Sequence, residues 1–127
     1  MRFDKEKVLL LQKLVIESSG GEYGVRDLEL LDSALNVAFQ TFDGKELYPT
    51  KEEKGARLGF GLVNNHAFVD GNKRIGLLVM ISFLEFEGIH ISATDEELIE
   101  IGLSLAKGEL QYSGLLDWVI KHKQDRW

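Results

Sequence analysis

Between positions 66 and 74 the chain reads His66-Ala67-Phe68-Val69-Asp70-Gly71-Asn72-Lys73-Arg74, its densest mixture of titratable and backbone-permissive residues. An apolar run from Ile75 to Phe86 follows directly, so this segment stands at the entrance to a buried helix. The first amide N–H groups of a helix have no internal acceptors and lie at the positive end of its dipole, which makes such an entrance an anion site. Gly71 supplies a permissive turn, Asn72 an amide donor for a phosphate oxygen, Lys73 a point charge and Arg74 a permanently charged fork. Asp70 has the wrong sign for a bare phosphate, a conflict that a bridging magnesium ion resolves. His66 belongs to the residue type whose ordinary pKa, about 6.5, leaves a neutral ring near pH 7 able to accept a hydroxyl proton. Together these parts would orient a nucleotide phosphoryl group, offset its developing charge and deprotonate an attacking hydroxyl. Phe68, between them, is expected to anchor the loop in the core.

Simpler uses exist for each residue. A lone histidine on a helix shoulder is most often structural, and Asp70 can cap the following helix without any metal, a role compatible with the other. Gly71 serves a plain turn and an anion nest with the same backbone. Lys73 and Arg74 are less easily explained as solvated charges, because cations in a first helical turn oppose the dipole. His66 and Asp70 are four apart but have no third ligand nearby, which argues against a dedicated zinc or iron site. His90 and His122 have no comparable company, and His122 suits the C-terminal end of a helix.

The elements that must position the segment follow from the spacing of apolar residues and their breaks. A first helix is predicted from about Asp4 to Ser18, with Val8, Leu11 and Val15 on one stripe and Leu10 and Leu14 beside it, stopping at Gly20-Gly21. After a glycine-rich loop, Gly20 to Gly24, Asp27 caps a second helix whose Leu28, Leu31, Leu35, Ala38 and Phe39 share a face and which ends near Gln40. Thr41 to Pro49, with the turn signal Asp43-Gly44, reads as a loop or short hairpin with an exposed edge suited to docking. Thr50 with Glu53 and Thr94 with Glu97 are capping boxes for a third helix and for a fifth helix running to about Ala106. Gly59 and Gly61 inside the third helix point to close helix approach. The apolar helix after the His66–Arg74 segment is central and stops at Gly88, and a sixth carries Leu115, Leu116, Val119 and Ile120 after Ser113. Strand-like alternation is almost absent, so the fold class is all-α: a bundle of about six helices around a buried central one.

Composition bounds the rest. A chain of 127 residues with 44% hydrophobic and 28% charged residues suits a single domain over 1–127 with a real core. One proline is compatible with long helices, and the net charge of -6 opposes direct binding of nucleic acid. The absence of cysteine removes thiolate nucleophiles and disulfide scaffolds and agrees with a cytoplasmic location. The N-terminal apolar cluster, Val8 to Leu11, is too short and too charged at its flanks for a membrane span.

The order His66-x-Phe68-x-Asp70-Gly71-Asn72-Lys73-Arg74 resembles the signature of the Fic/Doc superfamily, in its death-on-curing toxin branch. Arg26-Asp27, Leu30-Leu31, Ser33-Ala34-Leu35, Gln40-Thr41-Phe42 and Leu47-Tyr48-Pro49-Thr50 resemble the family's upstream half, so the likeness covers nearly the whole chain. The resemblance implies a compact helical bundle, ATP and magnesium as cosubstrate and cofactor, His66 as base, Asp70 as metal carboxylate and Gly71, Asn72, Lys73 and Arg74 as phosphate ligands. Two departures from the adenylylating Fic pattern bear on the reaction. Lys73 stands where that pattern has a second glycine, and Leu77 where it has a distal arginine. Gly71 is the Fic-like residue where some Doc toxins have alanine, and Ala67 replaces the Fic proline.

Doc-like members are implied to hold ATP in reverse and to phosphorylate a threonine of elongation factor Tu, stopping translation. They are also implied to be held by an antitoxin with a segment that folds on binding. Protein adenylylation, and a non-catalytic helical module that senses nucleotide, stay open as alternatives.

Overall fold

A computed structural model describes residues 4–125. Its helices are α1 (Lys5–Ser19), α2 (Leu28–Val37), α3 (Lys51–Asn64), α4 (Asn72–Phe86), α5 (Asp95–Ala106) and α6 (Tyr112–His122). Two small antiparallel ribbons accompany them, β1 (Thr41–Phe42) with β2 (Lys45–Glu46), and β3 (Ile89–Ile91) with β4 (Lys123–Asp125). The architecture is all-α, as the periodicity predicts.

Helix starts are chemically explicit. Asp27 accepts the amides of Glu29 and Leu30, and Thr50–Glu53 and Thr94–Glu97 form reciprocal capping boxes, each such cap contributing about 1 kcal/mol. The Asp43-Gly44 turn closes the first ribbon with both residues at positive φ, 54° and 77°, the mirror-image turn that suits a two-residue hairpin. Two cations of α3 hold the ribbon and the Tyr48 that follows it. Lys54 Nζ donates to the Tyr48 carbonyl at 2.5 Å and pairs with Glu46 at 3.0 Å, while the Arg57 guanidinium lies 6.0 Å from the Tyr48 ring and 5.4 Å from Phe60.

The core is built around α3 and α4, which meet almost backbone to backbone. A methyl group at Gly55 would fall 2.7 Å from Leu84, one at Gly59 3.0 Å from Met80 Cβ, and one at Gly76 2.5 Å from Val63 Cγ2. The lost helix propensity, about 1 kcal/mol per glycine, is thus exchanged for close packing. Gly61 instead faces Ala34 of α2 at an ordinary 3.6 Å, so close approach holds for Gly59 and not for Gly61.

Several sequence expectations are corrected. The strand pair β3–β4 joins residues 89–91 to 123–125, where no strand was expected. Helix α2 ends at Val37 rather than near Gln40. In α1 the buried positions are Val8 and Gln12, whereas Leu10 and Leu14 are more than half exposed, because the helix turns Gln12 inward toward polar backbone. No helix among the described residues is long and apolar enough to cross a membrane.

Candidate active site

The loop joining α3 to α4 is fixed at both sides of His66. Before it, Asn65 donates through Nδ2 to the Leu30 carbonyl at 2.8 Å. After it, Ala67 is fully buried and its carbonyl accepts the Arg26 and Asp27 amides at 2.8 and 3.1 Å. Phe68 fills the core, as expected, and bridges Val25 in antiparallel fashion, while the Val69 amide donates to Gly24 at 3.0 Å. His66 itself is exposed, with a left-handed backbone at φ 54° that costs a non-glycine residue about 1–2 kcal/mol. Its ring has no hydrogen-bond partner among the described residues. The exposed, unengaged His66 ring thus stands on a strained backbone between the half-buried Asn65 and the buried Ala67.

The entrance to α4 is uncapped. Gly71 is left-handed, φ 80° and ψ 11°, and no side chain caps the helix. The amides of Asn72, Lys73 and Arg74 find no acceptor among the described residues, and the first turn carries no acidic residue. Three donors at the positive end of a helix are thus left for a ligand. Asp70 does not cap α4 through its second or third amide. Its Oδ1 accepts the Gly71 amide at 2.9 Å and its Oδ2 the Glu22 amide at 3.3 Å. No group of three or more His, Asp or Glu among the described residues could hold a metal, which disfavours a zinc-type cage. A single exposed carboxylate beside free amides fits magnesium, which keeps several waters and takes its remaining ligands from one or two carboxylates and substrate phosphates.

The side chains of the three residues following Gly71 part ways. Asn72 is occupied, its Oδ1 accepting the Phe68 amide and its Nδ2 donating to the Phe68 carbonyl, both at 3.0 Å. It therefore braces the loop, and its contribution toward an anion is its backbone amide. Lys73 lays its aliphatic stem on α5 at Gly102. Arg74 crosses to the end of α1, where it donates to Ser19 Oγ and, at 3.3 Å, to the Gly20 carbonyl. Behind Lys73 and Arg74 a groove of about 300 Å³ opens between α4 and α5, over Leu77, Leu78, Ile81 and Leu98.

The segment from Ser19 to Gly24, which sequence reasoning recognised only as a glycine-rich loop, thus packs against the candidate site. Gln12 was missed altogether, although a single polar residue within the apolar stripe of an amphipathic helix was its signal.

Residues 2–84 match the family model described as Fic/DOC family. The chain is also 39% identical over 90 residues to a protein named Toxin Doc from Mycolicibacterium smegmatis (strain ATCC 700084 / mc(2)155), covering 71% of this chain and 67% of that protein.

Proposed function

The chain belongs to the Fic/DOC family, and from that premise we propose that it is a toxin of the Doc branch, a protein kinase that moves the γ-phosphate of ATP onto a threonine hydroxyl of elongation factor Tu and so stops translation. The observation carrying this reading is the uncapped entrance to α4, three free amides behind a left-handed Gly71, in the same loop as the exposed and strained His66.

In this reading the His66 ring takes the proton of the threonine hydroxyl. The hydroxyl oxygen bonds to the γ-phosphorus as the bond to the β–γ bridging oxygen breaks, and ADP leaves. The amides of Asn72, Lys73 and Arg74 receive phosphate oxygens, with the charges of Lys73 and Arg74 beside them. Asn72 keeps the loop in register through Phe68. Asp70 would hold magnesium, which when bound offsets charge on the phosphate oxygens. Lys73 and Leu77, in place of a glycine and an arginine, favour phosphorylation over adenylylation. An antitoxin that restrains the activity in the cytoplasm completes the proposal.

The test is incubation of the chain with magnesium, elongation factor Tu and ATP labelled at the γ position. Label on the factor is the expected result. Label transferred only from α-labelled ATP would establish adenylylation, and nucleotide binding with transfer of neither label would establish a non-catalytic module.

A further inference from the structure

Gln12 lies in the middle of α1 with its side chain completely out of solvent, the one buried polar residue among those described. A buried amide without partners costs about 1–3 kcal/mol, so its surroundings must be read as its reason for being there. Its Nε2 faces the carbonyls of Asp70 at 3.2 Å, Gly24 at 3.4 Å and Glu22 at 3.5 Å, and its Oε1 accepts the Gly24 amide at 3.2 Å. A leucine or methionine would fill a similar volume, so packing alone does not call for an amide here.

We propose that Gln12 is a positioning residue for the Asp70 carboxylate, joining the α1–α2 loop and the His66–Arg74 segment into one rigid piece. The inference rests on the reading of Asp70 as a functional carboxylate. Asp70 is gripped twice. Its main-chain carbonyl meets Gln12, and its carboxylate is held by the amides of Glu22 and Gly71. Glu22 in turn gives its carbonyl to Gln12 and its amide to Asp70. The loop can lie this close because residue 21 has no side chain: a methyl group there would sit 2.8 Å from Asp70 Oδ2. Removing the amide of Gln12 takes away the tether on the Glu22 carbonyl and leaves Gly24 held by the Val69 amide alone, so the residue whose amide orients Asp70 Oδ2 is loosened.

The decisive readout is solvent exchange of backbone amides in the full chain, comparing wild type with Gln12→Met. The Glu22 and Gly71 amides are bonded to Asp70 and not to Gln12, so a filler role for residue 12 would leave them unchanged. We expect both to exchange about tenfold faster, with α3 and α4 amides unaffected. Unchanged exchange at Glu22 and Gly71 overturns the proposal, as does a uniform rise throughout α3 and α4. Should Gln12→Met fail to fold, Gln12→Asn, an amide one methylene shorter, carries the same test with the same deciding amides. In the transfer reaction, Gln12→Met is expected to raise the magnesium concentration for half-maximal rate while leaving the KM for ATP within about twofold. If the wild type transfers no γ-phosphate, the kinase reading falls, whereas the exchange result still decides whether Gln12 holds Asp70.

Discussion

Lys73 and Leu77 converge over the same point of α5: a methyl group on Gly102 would fall 2.9 Å from Lys73 Cδ and 3.1 Å from Leu77 Cδ1. Two of the positions at which this chain departs from the adenylylating Fic motif are therefore neighbours in space, one turn apart on α4, and both form part of the wall of the α4–α5 groove. Replacing both, Lys73→Gly with Leu77→Arg, restores close backbone approach and adds a second guanidinium beside Arg74. If these positions set the direction of the nucleotide, γ-phosphoryl transfer should fall on the order of 100-fold, the cost of misaligned reacting atoms. Transfer from α-labelled ATP is the accompanying gain to look for. Undiminished γ transfer would remove Lys73 and Leu77 from the argument about reaction type.

The backbone of His66 allows base and fold to be separated. Glycine adopts φ 54° without the penalty borne by histidine, so His66→Gly should melt no lower than His66→Ala. Both variants should lose phosphoryl transfer, since each removes the proton acceptor while the side chain, being exposed, contributes little to the core. Melting curves and γ-label transfer on the same preparations check this, and full activity in either variant would dismiss His66 as the base.

Asp70→Asn keeps the shape of the side chain but turns one of two acceptors into a donor that faces an amide N–H. A modest loss of stability, about 1 kcal/mol, is expected from the lost hydrogen bond. Transfer should fall far more, and the residual rate should need higher magnesium. A variant with wild-type magnesium dependence and a large loss of stability would leave Asp70 a purely structural residue.

A pH-dependent latch lies away from the site, at the junction of α5, α6 and β3. The ring of His122 stacks on Trp118 with centroids 4.2 Å apart, its Nδ1 2.8 Å from the Trp118 carbonyl and its Nε2 2.8 Å from Glu97 Oε2. Both nitrogens face acceptors, so only the imidazolium satisfies both. The Trp118 carbonyl first and Glu97 second raise the His122 pKa above 6.5, against burial and Lys121. The Thr94 backbone amide and then His122 lower that of Glu97 below 4.5. Stabilisation through His122 is complete below 6.5 and is lost as pH rises through the elevated folded value. That through Glu97 is complete above 4.5 and is lost as pH falls through its depressed folded value. The Tm difference between wild type and His122→Ala should therefore be greatest between pH 4.5 and 6.5 and narrow on the alkaline side. A constant difference across pH would show that the ring acts by packing alone.

Helix boundaries were legible where a local rule decides them. Thr50–Glu53, Thr94–Glu97 and Asp27 cap their helices through side chains within three residues, and Asp43-Gly44 makes its turn from its own dihedral preferences. The position of the loop between α3 and α4 was legible for the same reason. What escaped depends on distant partners. Three residues at β3 find three at β4 only through the packing of α5 and α6 between them in sequence, and segments this short carry no period of their own. Asn72 reads as a phosphate donor until Phe68 is seen to occupy its amide. Gln12 reads as one polar residue in an apolar stripe until its backbone acceptors arrive from another part of the chain.

Those arrivals also order events in time. The α3 and α4 helices are neighbours in sequence and meet through their glycine faces, so their pairing demands closure of only a short loop. Completion of the site waits on Gln12 finding Asp70, 58 residues away, and on Arg74 finding Ser19, 55 residues away. The α3–α4 pair therefore forms before the long-range contacts that fix its connecting loop against α1. Under the proposed function, competence for transfer is gained only once these distant contacts have closed.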